Sequence, residues 1–329
     1  MARQNAARDW LVYIAIRWVA MLFQMFPINV NLRTARLMGW IWYRVVKRHR
    51  QRAGEHLRAA YGSQLSDRQM EHLALRSMQQ MVMMAVETLF TPRLINEWTW
   101  PRYVRLSGVE PALELLVARR GAILVTGHYG NWEMVGFILA TIGFPLTAVM
   151  RPLDNPHLNR WLMEVRARRG LKLLYKKGAS QSADEILDSG GLLGFIADQN
   201  AGHKGLFVDF FGRQASTYKS IGLLAIRHRV PIIVGYARRL SERFEYEVGV
   251  ARIIHPEQWA GQPDELRWIT QEYTAGIEAF VRQQPEHYLW IHRRWKSRPK
   301  DECGGDPAEA GPEGDEADPL ASVRGPVAG

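Results

Sequence analysis

His128 and Glu133 are the side chains whose types and spacing first suggest chemistry in this 329-residue sequence. They lie in residues 121–136, GAILVTGHYGNWEMVG. The apolar run at 122–125 reads as a buried strand, the glycine-flanked His128 as a turn, and the stretch through Met134 and Val135 as the start of a helix. Asn131 or a neighbour is the expected N-cap, which puts Glu133 in the first helical turn. Inside one helix, residues five apart point about 140° away from each other, so the pair could not share a face there. If the helix starts after His128, the chain can fold back, and Gly127 and Gly130 permit the backbone angles of such a turn. A carboxylate on one ring nitrogen would then fix the tautomer and leave the other nitrogen as a base. No serine or cysteine nucleophile lies nearby, so the proton to be taken would belong to a substrate hydroxyl. The same residues also fit a plainer role, a hydrogen-bonded structural histidine and a glutamate favoured by the helix dipole.

The elements that must position this pair are legible as an α/β alternation. Short apolar runs at 122–125, 146–150, 192–196 and 231–236 read as buried strands, with helical stretches such as 156–169 and 180–189 between them. That order implies a mostly parallel central sheet covered by helices. Residues 244–254 alternate as a further strand, and 264–284 read as a final amphipathic helix. Upstream, 66–91 reads as a long helix opened by a Ser66/Gln69 capping box, and its methionine stripe is most simply core packing.

Other chemistry-bearing residues follow the expected strands, where α/β proteins bind ligands. Arg151-Pro152-Leu153-Asp154-Asn155-Pro156 follows one strand, and Arg160, Arg166, Arg168 and Arg169 lie on the helix after it. Asp198 and Gln199 end the next strand, and residues 205–212, GLFVDFFG, form an aromatic apolar segment. Singly these read as a turn, a solvated helix face, a helix cap and a buried edge.

Charge and aromatic content bear on partners. The net charge is +10, but residues 301–329 hold eight acids and one arginine, so the first 300 residues carry +17. A basic body suits an anionic partner: nucleic acid, an acidic protein or an anionic membrane surface. No helix-turn-helix or RNP motif accompanies the basic, aromatic stretch 33–58, which argues against nucleic acid. The single cysteine, Cys303, excludes an intrachain disulfide and a cysteine-based zinc site, and no H-E-x-x-H occurs among the ten histidines. Residues 10–26 are almost entirely apolar, with Arg17 inside and Pro27 after them, and 17 residues is short for a bilayer span. No small-residue cleavage site follows. A short membrane anchor, an interfacial helix and a core helix are the competing readings, with a helix docked on or in the membrane favoured. The basic residues behind it would place that end on the cytoplasmic face.

His128 to Glu133 (H-x-x-x-x-[DE]), Arg151-Pro152 with Asp154-Asn155-Pro156, Asp198-Gln199 and the 205–212 block occur together in an order that resembles the lipid A biosynthesis acyltransferases, the lauroyl and myristoyl transferases of the lysophospholipid acyltransferase superfamily. The resemblance covers roughly residues 10–298. It implies a glycerolipid-acyltransferase-like α/β fold preceded by a membrane-associated helical region: a helix over 1–30 and an acyltransferase domain over 31–298; the remainder, 299–329, rich in Gly, Pro, Ala and acids with few large apolar residues, reads as a disordered acidic tail. It implies acyl transfer from a thioester, with acyl carrier protein as the usual donor, to a glycolipid hydroxyl, and no further cofactor. In that reading His128 is the general base, and Glu133 orients it and stabilises the imidazolium. Arg151 and Arg166 hold phosphate or developing negative charge, and Asp198 and Gln199 complete the substrate-binding set, with Asp198 supporting the site or the acceptor. Phe207, Phe210 and Phe211 line an acyl path or pack the core. Asp209 stands where family members often have proline, and the acidic extension departs from the common pattern. An acyl-CoA-dependent phosphatidylinositol mannoside acyltransferase is the nearest alternative. A thioesterase or lipase using the same base, and a non-catalytic basic membrane-binding protein, are the alternatives from other classes.

Overall fold

A computed structural model describes residues 2–299 except 151, 168–170 and 176–178. The expected acidic tail therefore falls almost wholly outside the described residues, as do Arg151, Arg168 and Arg169.

Four long helices come first: α1 (Ala2–Gln24), α2 (Ile28–Val45), α3 (Lys47–Tyr61) and α4 (Asp67–Leu94). The alternating part then runs α5 (Trp100–Tyr103), β1 (Val104–Ser107), α6 (Glu110–Val117), β2 (Ala122–Thr126), α7 (Trp132–Thr141), β3 (Leu146–Met150), α8 (Pro156–Ala167), β4 (Lys172–Tyr175), α9 (Ala179–Asp188) and β5 (Leu192–Ile196). A hairpin follows, β6 (Leu206–Phe210) and β7 (Arg213–Thr217), then α10 (Ser220–His228), β8 (Ile232–Arg239), β9 (Tyr246–Ile254), α11 (Pro256–Trp259) and α12 (Glu265–Gln283).

The seven-stranded sheet has the order β1-β9-β8-β2-β5-β3-β4. The five strands from β8 to β4 are mutually parallel, β9 runs antiparallel to β8, and β1 is parallel to β9. The mostly parallel sheet covered by helices is thus present. β2 sits between β5 and β8 and is buried at every position, which explains its unbroken apolar run. Its side chains alternate between two cores: Ile123 and Val125 pack with Phe195 and Ile277 on one side, while Leu124 packs with Met134, Val135 and Ile138 of α7 on the other.

Residues 205–212 do not form a lone apolar segment. They are mostly strand β6 of the hairpin, tied to α12 by Gln271, whose side chain accepts from Asp209 N at 2.8 Å, and by Glu278, which accepts from Phe211 N at 2.6 Å. Phe210 and Phe211 are buried in the core, so for these two the packing alternative holds.

The capping box that opens α4 is formed as expected, with Ser66 and Gln69 reciprocally bonded. Of the methionine stripe, Met70, Met78 and Met84 are buried, as core packing requires. α2 packs closely on α4 because Gly39 meets it: a Cβ there would lie 2.6 Å from the Gln79 Cα. The opposite face of α2 exposes Leu37, Met38, Trp40 and Ile41, and α1 exposes Trp10, Leu11, Trp18 and Leu22. The core-helix reading of α1 is thereby corrected: of its large apolar side chains most face outward, and Trp18 is 61% exposed. No helix among the described residues is long and apolar enough to cross a membrane.

Candidate active site

The position of His128 follows from strand register. β2 and β5 are parallel neighbours, with Thr126 opposite Ile196. His128 and Asp198 each lie two residues past those strand ends, so they emerge side by side at the carboxyl edge of the sheet. The Ala197 amide donates to the Thr126 carbonyl at 2.8 Å and extends the pairing one step. Asp198 then grips His128 twice: the imidazole Nδ1 and the Asp198 Oδ1 are 2.8 Å apart, and the His128 backbone N–H donates to Oδ2 at 2.9 Å. With its proton on Nδ1, the neutral ring has its lone pair on Nε2. Gly127 makes room for this contact, since a Cβ there would sit 3.4 Å from the Asp198 carboxylate and 3.1 Å from Ile277.

Asp198 is almost wholly buried. Burial pushes its carboxyl up, but the imidazole charge and the hydrogen bonds from His128 outweigh it and hold the group far below the usual carboxylate range. A buried carboxylate kept ionised beside an imidazole stabilises an imidazolium when a proton arrives.

The turn after His128 is fixed from three sides. The Gly130 amide donates to the His287 carbonyl at 2.9 Å, and the Leu289 amide to the His128 carbonyl at 3.0 Å. The Asn131 amide donates to Ala237 O at 3.0 Å. Gly130 has φ +55, and a Cβ would lie 1.9 Å from that same Ala237 oxygen, so only glycine fits. Asn131 caps α7, its Oδ1 accepting from Met134 N at 3.1 Å, while its Nδ2 donates to Glu87 at 2.9 Å. Glu87 is fully buried on α4 and is also held by Arg239 and the Tyr246 hydroxyl. A buried ion pair therefore anchors the cap of the helix that follows the base.

Glu133 differs from its expected role. The carboxylate on Nδ1 of His128 is that of Asp198, and Glu133 is instead clasped by Arg166 of α8, whose Nε donates at 2.9 Å and whose Nη2 makes a second, shorter bond. The cause is the cap: with Asn131 as N-cap, Glu133 is the second residue of α7 and leans toward β3 and α8. Both partners are largely shielded, at 14% and 11% side-chain exposure. The pair closes one end of a small apolar cavity of about 80 Å³ between α7 and strands β2, β5 and β3.

Glu133 follows Trp132, whose ring packs edge-on against His128, while Gln199 contributes its carbonyl, which accepts from Arg294 Nη1 at 3.1 Å. Arg151 lies outside the described residues.

Sequence reasoning missed the segment at 287–297. His292 stacks on the His128 ring at 5.5 Å and 19°, with Trp132 edge-on at 4.9 Å. Burial and the neighbouring imidazole push His292 down to about 4, so it is a neutral wall beside the base. Arg294 is buried against Gln199, Ser216 and Thr217 and locks this segment to the end of β5. The signal was the run WIHRRWKS at 290–297, aromatic and basic, just past the last helix.

A histidine with a buried carboxylate on Nδ1 is suited to taking a proton from a hydroxyl. Comparison with known proteins shows the family. The chain is 23% identical over 300 residues to the lipid A biosynthesis lauroyltransferase of Escherichia coli (strain K12), covering 89% of this chain and 94% of that protein. It is 25% identical over 299 residues to the myristoyltransferase of the same organism, covering 88% and 87%. A phosphatidylinositol mannoside acyltransferase of Mycolicibacterium smegmatis is 33% identical over 191 residues, 57% of this chain and 60% of that one. The family model described as bacterial lipid A biosynthesis acyltransferase matches residues 2–297, nearly all that lies before the acidic tail, and the chain belongs to that family of acyl-transferring enzymes.

Proposed function

We propose that this acyltransferase moves a fatty acyl chain from a thioester, carried by acyl carrier protein, to a hydroxyl of a lipid A precursor or related glycolipid. The observation that carries the reading is the His128–Asp198 pair at the carboxyl ends of β2 and β5. His128 Nε2 takes the acceptor hydroxyl proton as the oxygen attacks the thioester carbonyl. The tetrahedral intermediate collapses, the C–S bond breaks, and the imidazolium returns its proton to the departing thiolate. Asp198 holds the tautomer and stabilises the imidazolium, so no acyl-enzyme is needed. Arg166, held in place by Glu133, offers positive charge near the reacting groups.

In the same reading the enzyme works at the cytoplasmic face of the inner membrane. The outward apolar side chains of α1 and α2 support this, as does the +17 charge of the first 300 residues, which suits both an anionic membrane surface and an acidic carrier protein. Resemblance to the mannoside acyltransferase keeps one second reading open, with acyl-CoA as donor and a phosphatidylinositol mannoside as acceptor.

The test is transfer in detergent with mass-spectrometric readout, wild type beside His128→Ala. Donors are a panel of acyl carrier protein thioesters and acyl-CoAs; acceptors are an under-acylated lipid A precursor and a phosphatidylinositol mannoside. The expected result is a mass gain of one acyl chain on the lipid A precursor, abolished in the variant. Gain only on the mannoside moves the acceptor to the second reading. Free fatty acid without transfer points to hydrolysis, and identical traces for both proteins overturn catalysis by His128.

A further inference from the structure

A groove of about 870 Å³, lined by none of the residues around His128, lies between α1, α4 and α8. Its size falls within the ~300–1,000 Å³ of pockets that hold sizeable ligands. Its walls mix two chemistries. Trp18, Met21, Leu89 and Trp161 give apolar surface, while Arg17 and Arg93 bring two guanidinium groups against the single carboxylate of Glu164. Both cations are placed by ring faces: Arg17 lies 5.3 Å over Trp161 and donates to the Tyr13 hydroxyl at 3.0 Å, and Arg93 lies 5.3 Å over Phe90. Stacking engages the flat face of a guanidinium and leaves its N–H edge in the geometry that suits phosphate oxygens.

Two features connect this groove to lipid and to the site. α1 is docked on α8, with Asn155 Nδ2 donating to Asp9 O at 2.8 Å and Tyr13 against His157, so its one side walls the groove while its other side exposes Trp10, Leu11 and Leu22. On α8, Glu164 and Val165 line the groove and Arg166, the next residue, reaches Glu133. The groove and the Glu133–Arg166 pair thus draw on consecutive residues of α8.

We infer that the groove between α1, α4 and α8 binds a membrane lipid with an anionic phosphate head, the phosphate on Arg17 and Arg93 and the acyl chains on Trp18, Met21 and Trp161. α1 then serves as one wall of a lipid site as well as a membrane contact. The inference rests on the proposed function only in taking the natural occupant to be the phosphorylated glycolipid acceptor.

The experiment reads binding without turnover. Full-length protein with Cys303→Ser and Val165→Cys carries a bimane on the groove wall, and a second sample carries it at Leu22→Cys on the outer face of α1. Each is mixed in detergent micelles with nitroxide-labelled phosphatidic acid or with phosphatidylcholine labelled on the same chain. At Val165, phosphatidic acid should quench about five-fold more effectively than phosphatidylcholine, a preference sized for two partly exposed phosphate contacts. Arg17→Gln with Arg93→Gln should erase the preference, and Glu164→Gln should enlarge it. At Leu22 the two lipids should quench alike. Equal quenching at Val165, or a preference indifferent to the arginines, overturns the inference. Because no acceptor is acylated in this assay, failure here leaves the transfer reaction standing, and failure of transfer leaves the groove standing.

Discussion

Asp198 holds His128 from the end of the adjacent parallel strand, and both residues stand two positions past the paired Thr126 and Ile196. The distance between them is set by the sheet, because parallel neighbours lie about 4.8 Å apart and equal overhangs keep that spacing. Asp198→Asn should therefore leave the fold intact and lower kcat by about 10⁴, the loss seen when the orienting carboxylate of a histidine base is made neutral. Single-turnover transfer and a circular dichroism melt, run together, check this. A folded Asp198→Asn variant with near wild-type kcat would remove Asp198 from the base's support.

Glu133 should behave differently. Its carboxylate is committed to Arg166, with both groups largely shielded from water. Glu133→Gln and Arg166→Gln should each reduce kcat/KM, and the double variant should lose less than the sum. Contacting residues in a shared network couple by roughly 0.5–3 kcal/mol, and this pair belongs in the upper half of that range. A double-mutant cycle on kcat/KM gives the number. If Glu133 instead acted on the imidazole directly, Glu133→Gln would match Asp198→Asn in size and would not couple to Arg166.

Particular residues explain what could be seen in the sequence. The apolar runs of β2 and β5 are buried on both faces, and that of β3 is at least partly buried throughout, so they read as unbroken and their places were legible. His128 was legible because it interrupts such a run between glycines. Its carboxylate partner was not: H-x-x-x-x-E offers a glutamate five residues away, whereas the observed partner is 70 residues away and is brought close only by β5 inserting beside β2. Sequence spacing reports local chemistry, and sheet order decides the rest. Edge strand β4 carries only four residues, Lys172–Tyr175, and begins with a charge, so no run marked it. His292 was hidden for the same reason as the His128–Asp198 pairing, being far away in the chain and stacked on the base by tertiary packing.

The Glu87–Arg239 pair makes a prediction about stability. Glu87 is fully buried on α4, 5% of the Arg239 side chain is exposed, and Tyr246 and Asn131 complete the cluster. Removing one partner strands the other's charge in the core. Glu87→Leu alone and Arg239→Met alone should each cost about 3–5 kcal/mol, while the double replacement should cost much less. Urea denaturation of the three variants measures it. Glu87→Leu should also lower transfer beyond its loss of folded protein, because Asn131 loses the anchor that fixes the His128 turn.

Two buried histidines set the acid limit of the fold. Burial, with the Arg239, Arg76 and Arg238 charges adding, pushes His287 down to about 3, and burial with the His128 charge pushes His292 down to about 4. An unfolded chain protonates both near 6.5, so between that pH and the folded values the unfolded state holds protons that the folded state lacks. Stability must then fall as pH falls, starting below about 6.5 and continuing toward 4, at up to about 1.4 kcal/mol per pH unit for each histidine. Asp198 acts in the same direction only lower down, since its depressed carboxyl adds stability above about 3.9 that is lost beneath it. His287→Phe should flatten one histidine's share of the slope between pH 6.5 and 4. Its Nδ1 has no hydrogen-bond partner among the described residues, so the phenyl ring forfeits no bond there. Denaturation midpoints taken at half-unit pH intervals would show it, and a slope identical to wild type would mean that His287 is protonated in the folded enzyme.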